Sequence, residues 1–70
     1  MKKLWRDVNG LTIQQGLIVH GIIDGDMRKT IADDLHILMT TFDSEMKIIY
    51  IESGTSGKVA LAFWGKSKGY

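Results

Sequence analysis

The stretch Met46-Lys47-Ile48-Ile49-Tyr50-Ile51-Glu52-Ser53-Gly54-Thr55-Ser56-Gly57-Lys58-Val59-Ala60-Leu61-Ala62-Phe63-Trp64 decides how the rest of the chain is read. Two runs rich in β-branched and aromatic residues, 46–52 and 58–64, flank five residues of serine, threonine and glycine. That pattern predicts a β-hairpin, because such residues fit a pleated surface and Gly and Ser fit its turn. On the first run Met46, Ile48 and Tyr50 point one way and Ile49 and Ile51 the other. On the second, Val59, Leu61 and Phe63 oppose Ala60, Ala62 and Trp64. Both faces of the expected sheet are apolar, and one helix covers only one of them.

The helix that would cover it runs over residues 27–42, where Met27, Ile31, Leu35, Leu38, Met39 and Phe42 recur at helical spacing. Asp26 is placed to cap its first turn, Lys29, Asp33, His36 and Thr40 lie away from the apolar stripe, and Asp43-Ser44 mark its exit. Before it, Val8-Asn9-Gly10-Leu11 holds a pair that favours a hairpin turn, and Leu17–Ile23 is dense in β-branched residues ahead of Asp24-Gly25. The competing reading makes Thr12 the N-cap of a buried helix Ile13–Ile23. Gly16 and Gly21 would each cost that helix roughly 1 kcal/mol relative to Ala, so strands are preferred.

The expected fold is therefore α+β: a small antiparallel sheet of N-terminal strands plus the C-terminal hairpin, packed against one amphipathic helix, in a single domain over residues 1–70. Its expected core is Leu17, Val19, Ile31, Leu35, Leu38, Phe42, Ile48, Tyr50, Leu61 and Phe63. A chain of 70 residues without cysteine has little surface to bury and no disulfide or thiolate metal site to reinforce it. Self-association completes such a core, and a twofold dimer is expected, with Ile49, Ile51 or Trp64 in the contact.

Composition removes several classes of function. The longest apolar stretch is broken by His20 and Gly21, far short of the ~18 residues of a membrane span, and Arg6 and Asp7 interrupt any signal-peptide pattern after Lys2 and Lys3. A cytoplasmic protein without membrane partners is expected. Ser53–Lys58 imitates a phosphate-binding loop, but Glu52 stands where the first glycine belongs and a strand is expected after it. Asp24-Gly25-Asp26 opens like a calcium loop, yet Arg28, Lys29 and Leu35 occupy later positions that the loop needs. His20 and His36 have no cysteine to join in a zinc site, and no nucleophile motif is present. No cofactor, metal site or catalytic residue is expected, and the chain is read as non-enzymatic.

Charge is unevenly placed. Lys2, Lys3, Arg6, Lys58, Lys66 and Lys68 put +6 at the ends, the middle carries −5, and the net is +1. The expected function is that of a small interaction or regulatory protein binding a protein partner through Trp64, Lys66, Tyr70, Asp33 and Asp34, residues that combine aromatic anchors with charge. The alternative is nucleic-acid binding, in which Lys2, Lys3, Arg6, Lys58, Lys66 and Lys68 neutralise phosphates while Trp5 and other aromatics stack on bases.

Overall fold

The computed structural model describes residues 6–70, so Lys2, Lys3 and Trp5 of the expected basic surface lie outside the described residues. Four helices follow one another: α1 Ile13–Ile23, α2 Arg28–Asp34, α3 Met39–Ser53 and α4 Lys58–Ser67. Among the described residues the only β pairing is a single antiparallel bridge between Arg6 and Thr12. The α+β expectation is thereby overturned: the described residues form an all-helical fold with no sheet.

The expected hairpin fails because 3.6-residue periodicity runs straight through it. Phe42, Met46 and Ile49 are buried on one face of α3, with Met39 and Tyr50 at the margins, so Asp43 and Ser44 lie on its solvent face rather than at an exit. Tertiary burial outweighs the modest helix penalty of Ile48, Ile49 and Ile51. The expected turn at 53–57 joins two helices. The N-terminal strands are also replaced by a helix: Thr12 caps α1, its hydroxyl accepting from the Gln15 amide at 3.2 Å while the Gln15 side chain accepts from the Thr12 amide at 3.0 Å. Buried Gln15, Ile18, Val19 and Ile22 then follow the helical spacing.

The expected helix 27–42 is broken in two. Asp26 does not cap it; Met27 holds the N-cap position without a side-chain bond. The break sits at His36, whose φ of 57° is left-handed. There the His36 amide donates to the Asp33 carbonyl at 3.1 Å and the Ile37 amide to the Ala32 carbonyl at 3.0 Å, a Schellman ending. The same pair of bonds closes α3 at Gly54, where Gly54 donates to Ile51 and Thr55 to Tyr50. His36 thus fills a role for which glycine is the unstrained residue.

The core consists of Leu11, Ile18, Val19, Ile22, Ile31, Ala32, Phe42, Met46, Ile49 and Leu61. Val19, Ile31, Phe42 and Leu61 are buried as expected, and Leu35 and Tyr50 are partly buried against that core. Leu17, Ile48 and Phe63 are not core residues, because on helices their side chains turn outward, and Leu38, at the extended N-cap position before α3, is exposed as well. Helix α1 is the hub, touching α2, α3 and, most extensively, α4. Its seam with α4 is tight: a Cβ on Gly65 would lie 2.5 Å from Val19 Cγ1 and 2.9 Å from Ile23 Cδ1. The Cα radius of gyration, 11.4 Å, matches the roughly 11 Å of a compact chain of this length. No helix among the described residues is long and apolar enough to cross a membrane.

Gly65→Ala is expected to cost about 1–3 kcal/mol by overpacking, despite the helix propensity that alanine adds. His36→Gly is expected to stabilise by about 1 kcal/mol, since it relieves the left-handed strain at an exposed site. Urea unfolding of both variants checks the two signs.

Candidate functional site

Tyr70 gathers the functional side chains into one place. The Tyr70 amide donates to the Gly65 carbonyl at 2.9 Å, closing α4. Its ring stacks on Trp64, with centroids 5.8 Å apart and planes inclined by 24°. Its hydroxyl donates to Asp7 Oδ2 and accepts from Asn9 Nδ2 at 3.3 Å. Its main-chain oxygen accepts from His20 Nδ1 at 2.6 Å, and His20 Nε2 pairs with Asp24 Oδ2 at 3.3 Å. Asp7 in turn organises the turn at Asn9-Gly10, because its Oδ1 accepts from the Asn9 and Leu11 amides at 2.9 and 3.0 Å. One aromatic residue therefore clasps the N-terminal turn, α1 and α4 together.

The clasp has a definite electrostatic character. The Tyr70 main-chain oxygen and, secondarily, Asp24 and Asp26 favour the imidazolium, outweighing desolvation and raising His20 above its ordinary 6.5. Partial burial pushes Asp7 up, but the bonds from the Tyr70 hydroxyl and the neighbouring amides prevail and leave its carboxyl below 3.8. Desolvation and then the bond to Asp7 raise the Tyr70 hydroxyl above 10.0.

Beside the clasp lies an open groove of about 520 Å³, walled by Leu11, Ile13, Gly16, Leu17 and Tyr70, with Arg6 at one end and His20 at the other. A smaller depression of about 420 Å³ lies across Ile13, reaching Ile48 and Glu45 of α3. Ile13 forms a ridge between the two and is 74% exposed.

The residues expected to bind a partner do not form one surface. Trp64 and Tyr70 are half-buried against each other, so neither is a free anchor. Asp33 and Asp34 end α2, which does not touch α4, whereas Lys66 is exposed on the last turn of α4. Of the expected dimer contacts, Ile49 is fully buried and Trp64 partly so, and only Ile51 faces outward. The described cations are also dispersed: Lys58 begins α4, Lys66 lies about 12 Å further along it, Lys68 follows its end, and Arg6 donates to the Gly10 carbonyl at 2.8 Å. Sequence reasoning missed Val59 and Phe63, which are 73% and 70% exposed one turn apart on α4. A helical reading of residues 58–67 reveals them, because they fall opposite the buried Leu61 and Gly65.

A group whose pKa rises on folding stabilises the fold below its unfolded value, and that contribution is lost as pH rises through the folded value. His20 therefore steadies the clasp below 6.5, while Asp7 does so above 3.8 and loses its effect as pH falls through its lowered value. NMR titration is expected to place His20 above 6.5 and to show the value falling in Asp24→Asn.

The chain matches no protein-family model, no curated protein and no solved structure, so its function is read from the placement of these residues.

Proposed function

We propose that this is a small non-enzymatic interaction protein that presents the outer face of α4 to a protein partner. The observation that carries the reading is the exposure of Phe63. A large aromatic side chain stands 70% exposed, with Val59 one turn before it and Lys66 one turn after it on the same stripe. Aromatic residues in such settings are enriched among the few that carry most of an interface's energy. The flanking lysine favours a partner surface that joins an apolar pocket to acidic groups. The helices beneath hold the stripe rigid, since Leu61 and Gly65 pin α4 to the core.

Nucleic-acid binding is the weaker reading. Trp64 is stacked on Tyr70 and the described cations point to no single track. Such contact would make affinity fall with salt at a slope of about −0.7 per neutralised phosphate of a single strand.

Phe63→Ala is expected to leave thermal stability unchanged, because the side chain is outside the core, while weakening partner binding by about thirtyfold. The check is quantitative capture of the partner by wild type and variant from nuclease-treated lysate. Equal capture by the two proteins removes α4 as the docking face, and loss of capture after nuclease treatment alone shifts the assignment to nucleic acid.

A further inference from the structure

Gly69 and Tyr70 form a strap that leaves α4 and lies across α1. Gly69 has a left-handed φ of 87° and open space where a side chain would stand, so the backbone hinges there without strain. Beyond the hinge the Tyr70 ring rests on Gly16, where a Cβ would lie 3.1 Å from it, and stacks on Trp64. The bare backbone of Gly16 is thus the seat of the ring. Asp7 and Asn9 hold the hydroxyl end of Tyr70, and His20 holds its main-chain oxygen. Asp7 ionises below 3.8 and the Tyr70 hydroxyl above 10.0. Near neutral pH only the His20 fastening changes.

His20 faces an acceptor on each ring nitrogen: the Tyr70 main-chain oxygen 2.6 Å from Nδ1, and Asp24 Oδ2 3.3 Å from Nε2. The imidazolium donates to both, whereas the neutral ring has one N–H for the pair. The Asp24 carboxylate, being anionic, keeps that proton on Nε2 in a charge-assisted bond. Nδ1 then turns a lone pair toward the Tyr70 oxygen, and the fastening becomes a repulsion. Asp26 adds to the negative field beyond the end of α1. Across the groove the N-terminal segment contributes Asp7 and Arg6. Asp7 is engaged by the Tyr70 hydroxyl and the Asn9 and Leu11 amides, and Arg6 donates to the Gly10 carbonyl, so neither replaces the lost proton. Lys66 and Lys68, near the end of α4, are not among the described residues lining the groove. We propose that Gly69-Tyr70 is a pH-operated strap: doubly protonated His20 fastens it across α1 and α4, and loss of one proton releases it, uncovering Trp64 and Gly16. The contacts that fasten it also raise His20 above 6.5. The strap is therefore held below that value and loosens as pH rises through the raised one. Val59 and Phe63 do not line this groove, so the strap is independent of partner binding there.

NMR of the full chain between about pH 5 and pH 9 tests this, with far-ultraviolet circular dichroism recorded alongside. At the acid end the Gly16 α-protons are expected to carry the ring-current shift of Tyr70. As His20 titrates, that shift and the Trp64 indole resonances are expected to move together at the His20 midpoint, while helical circular dichroism stays constant. His20→Gln, which carries no titrating proton, is expected to abolish the step. Tyr70→Ala, which removes the ring and hydroxyl anchors, is expected to lower the His20 midpoint by linkage. The open fraction of the strap then rises about tenfold for each pH unit by which that midpoint falls. Gly16 and Trp64 resonances that do not move, a step that persists in His20→Gln, a His20 midpoint untouched by Tyr70→Ala, or helix lost at the same pH each overturns the proposal. None of these readings bears on capture through Phe63, so the two assignments fail separately.

Discussion

The close approach of α1 to α4 at Gly65 is the contact on which the remaining architecture rests. Because Gly65 meets Val19 and Ile23 without a side chain between them, the two helices come near enough for Leu61 and Ile18 to be fully enclosed. A second glycine contact extends the arrangement to the other side of α1, where Gly21 faces Ile31 at a distance that leaves no room for a Cβ. Helix α2 has only 7 residues and is too short to hold itself together in isolation. It is kept in place by burying Ile31 and Ala32, and α3 then closes the core with Phe42 and Ile49.

These contacts also show what the sequence disclosed and what it withheld. Gly16 and Gly21 count against a helix when only propensity is weighed, and that weighing favoured strands for residues 13–23. In the folded chain Gly21 is buried in close contact with α2 and Gly16 lies under Tyr70, so the propensity cost is offset by packing that no local rule registers. The reading that made Thr12 an N-cap had the right geometry. For residues 46–64 the local preferences of Ile, Val and Tyr misled, since alternation and helical spacing both find apolar partners in so apolar a run. The decisive signal was longer than either run: the spacing Phe42, Met46, Ile49 crosses Asp43-Ser44 without a break.

Of the candidate surface, the exposed charge of Lys66 was legible, and the importance of Tyr70 was legible in part. Its role differs from the expected one, because the ring that could have been a partner's anchor is spent on Trp64 and Gly16. Asp33 and Asp34 were expected to join it, but residues 33 and 70 come together only if α2 reaches α4, which it does not. Phe63 and Ile13 were hidden for the converse reason. Hydrophobic residues are assigned to a core by default, and a helix that is apolar on more than one face reveals its uncovered side only once its neighbours are in place.

Tyr70 and Asp7 are 63 positions apart in sequence yet share a hydrogen bond. Followed through that bond, the backbone is a closed circuit of four helices, in which each has fixed neighbours and the site of the opening is arbitrary. A circular permutant opened in the exposed part of Ser53–Gly57, with Tyr70 joined to Arg6 by a short linker, would keep every helix beside its present neighbours. Helix order along the gene and spatial order around the core are thus separable properties of this molecule, and only the second is required by its packing.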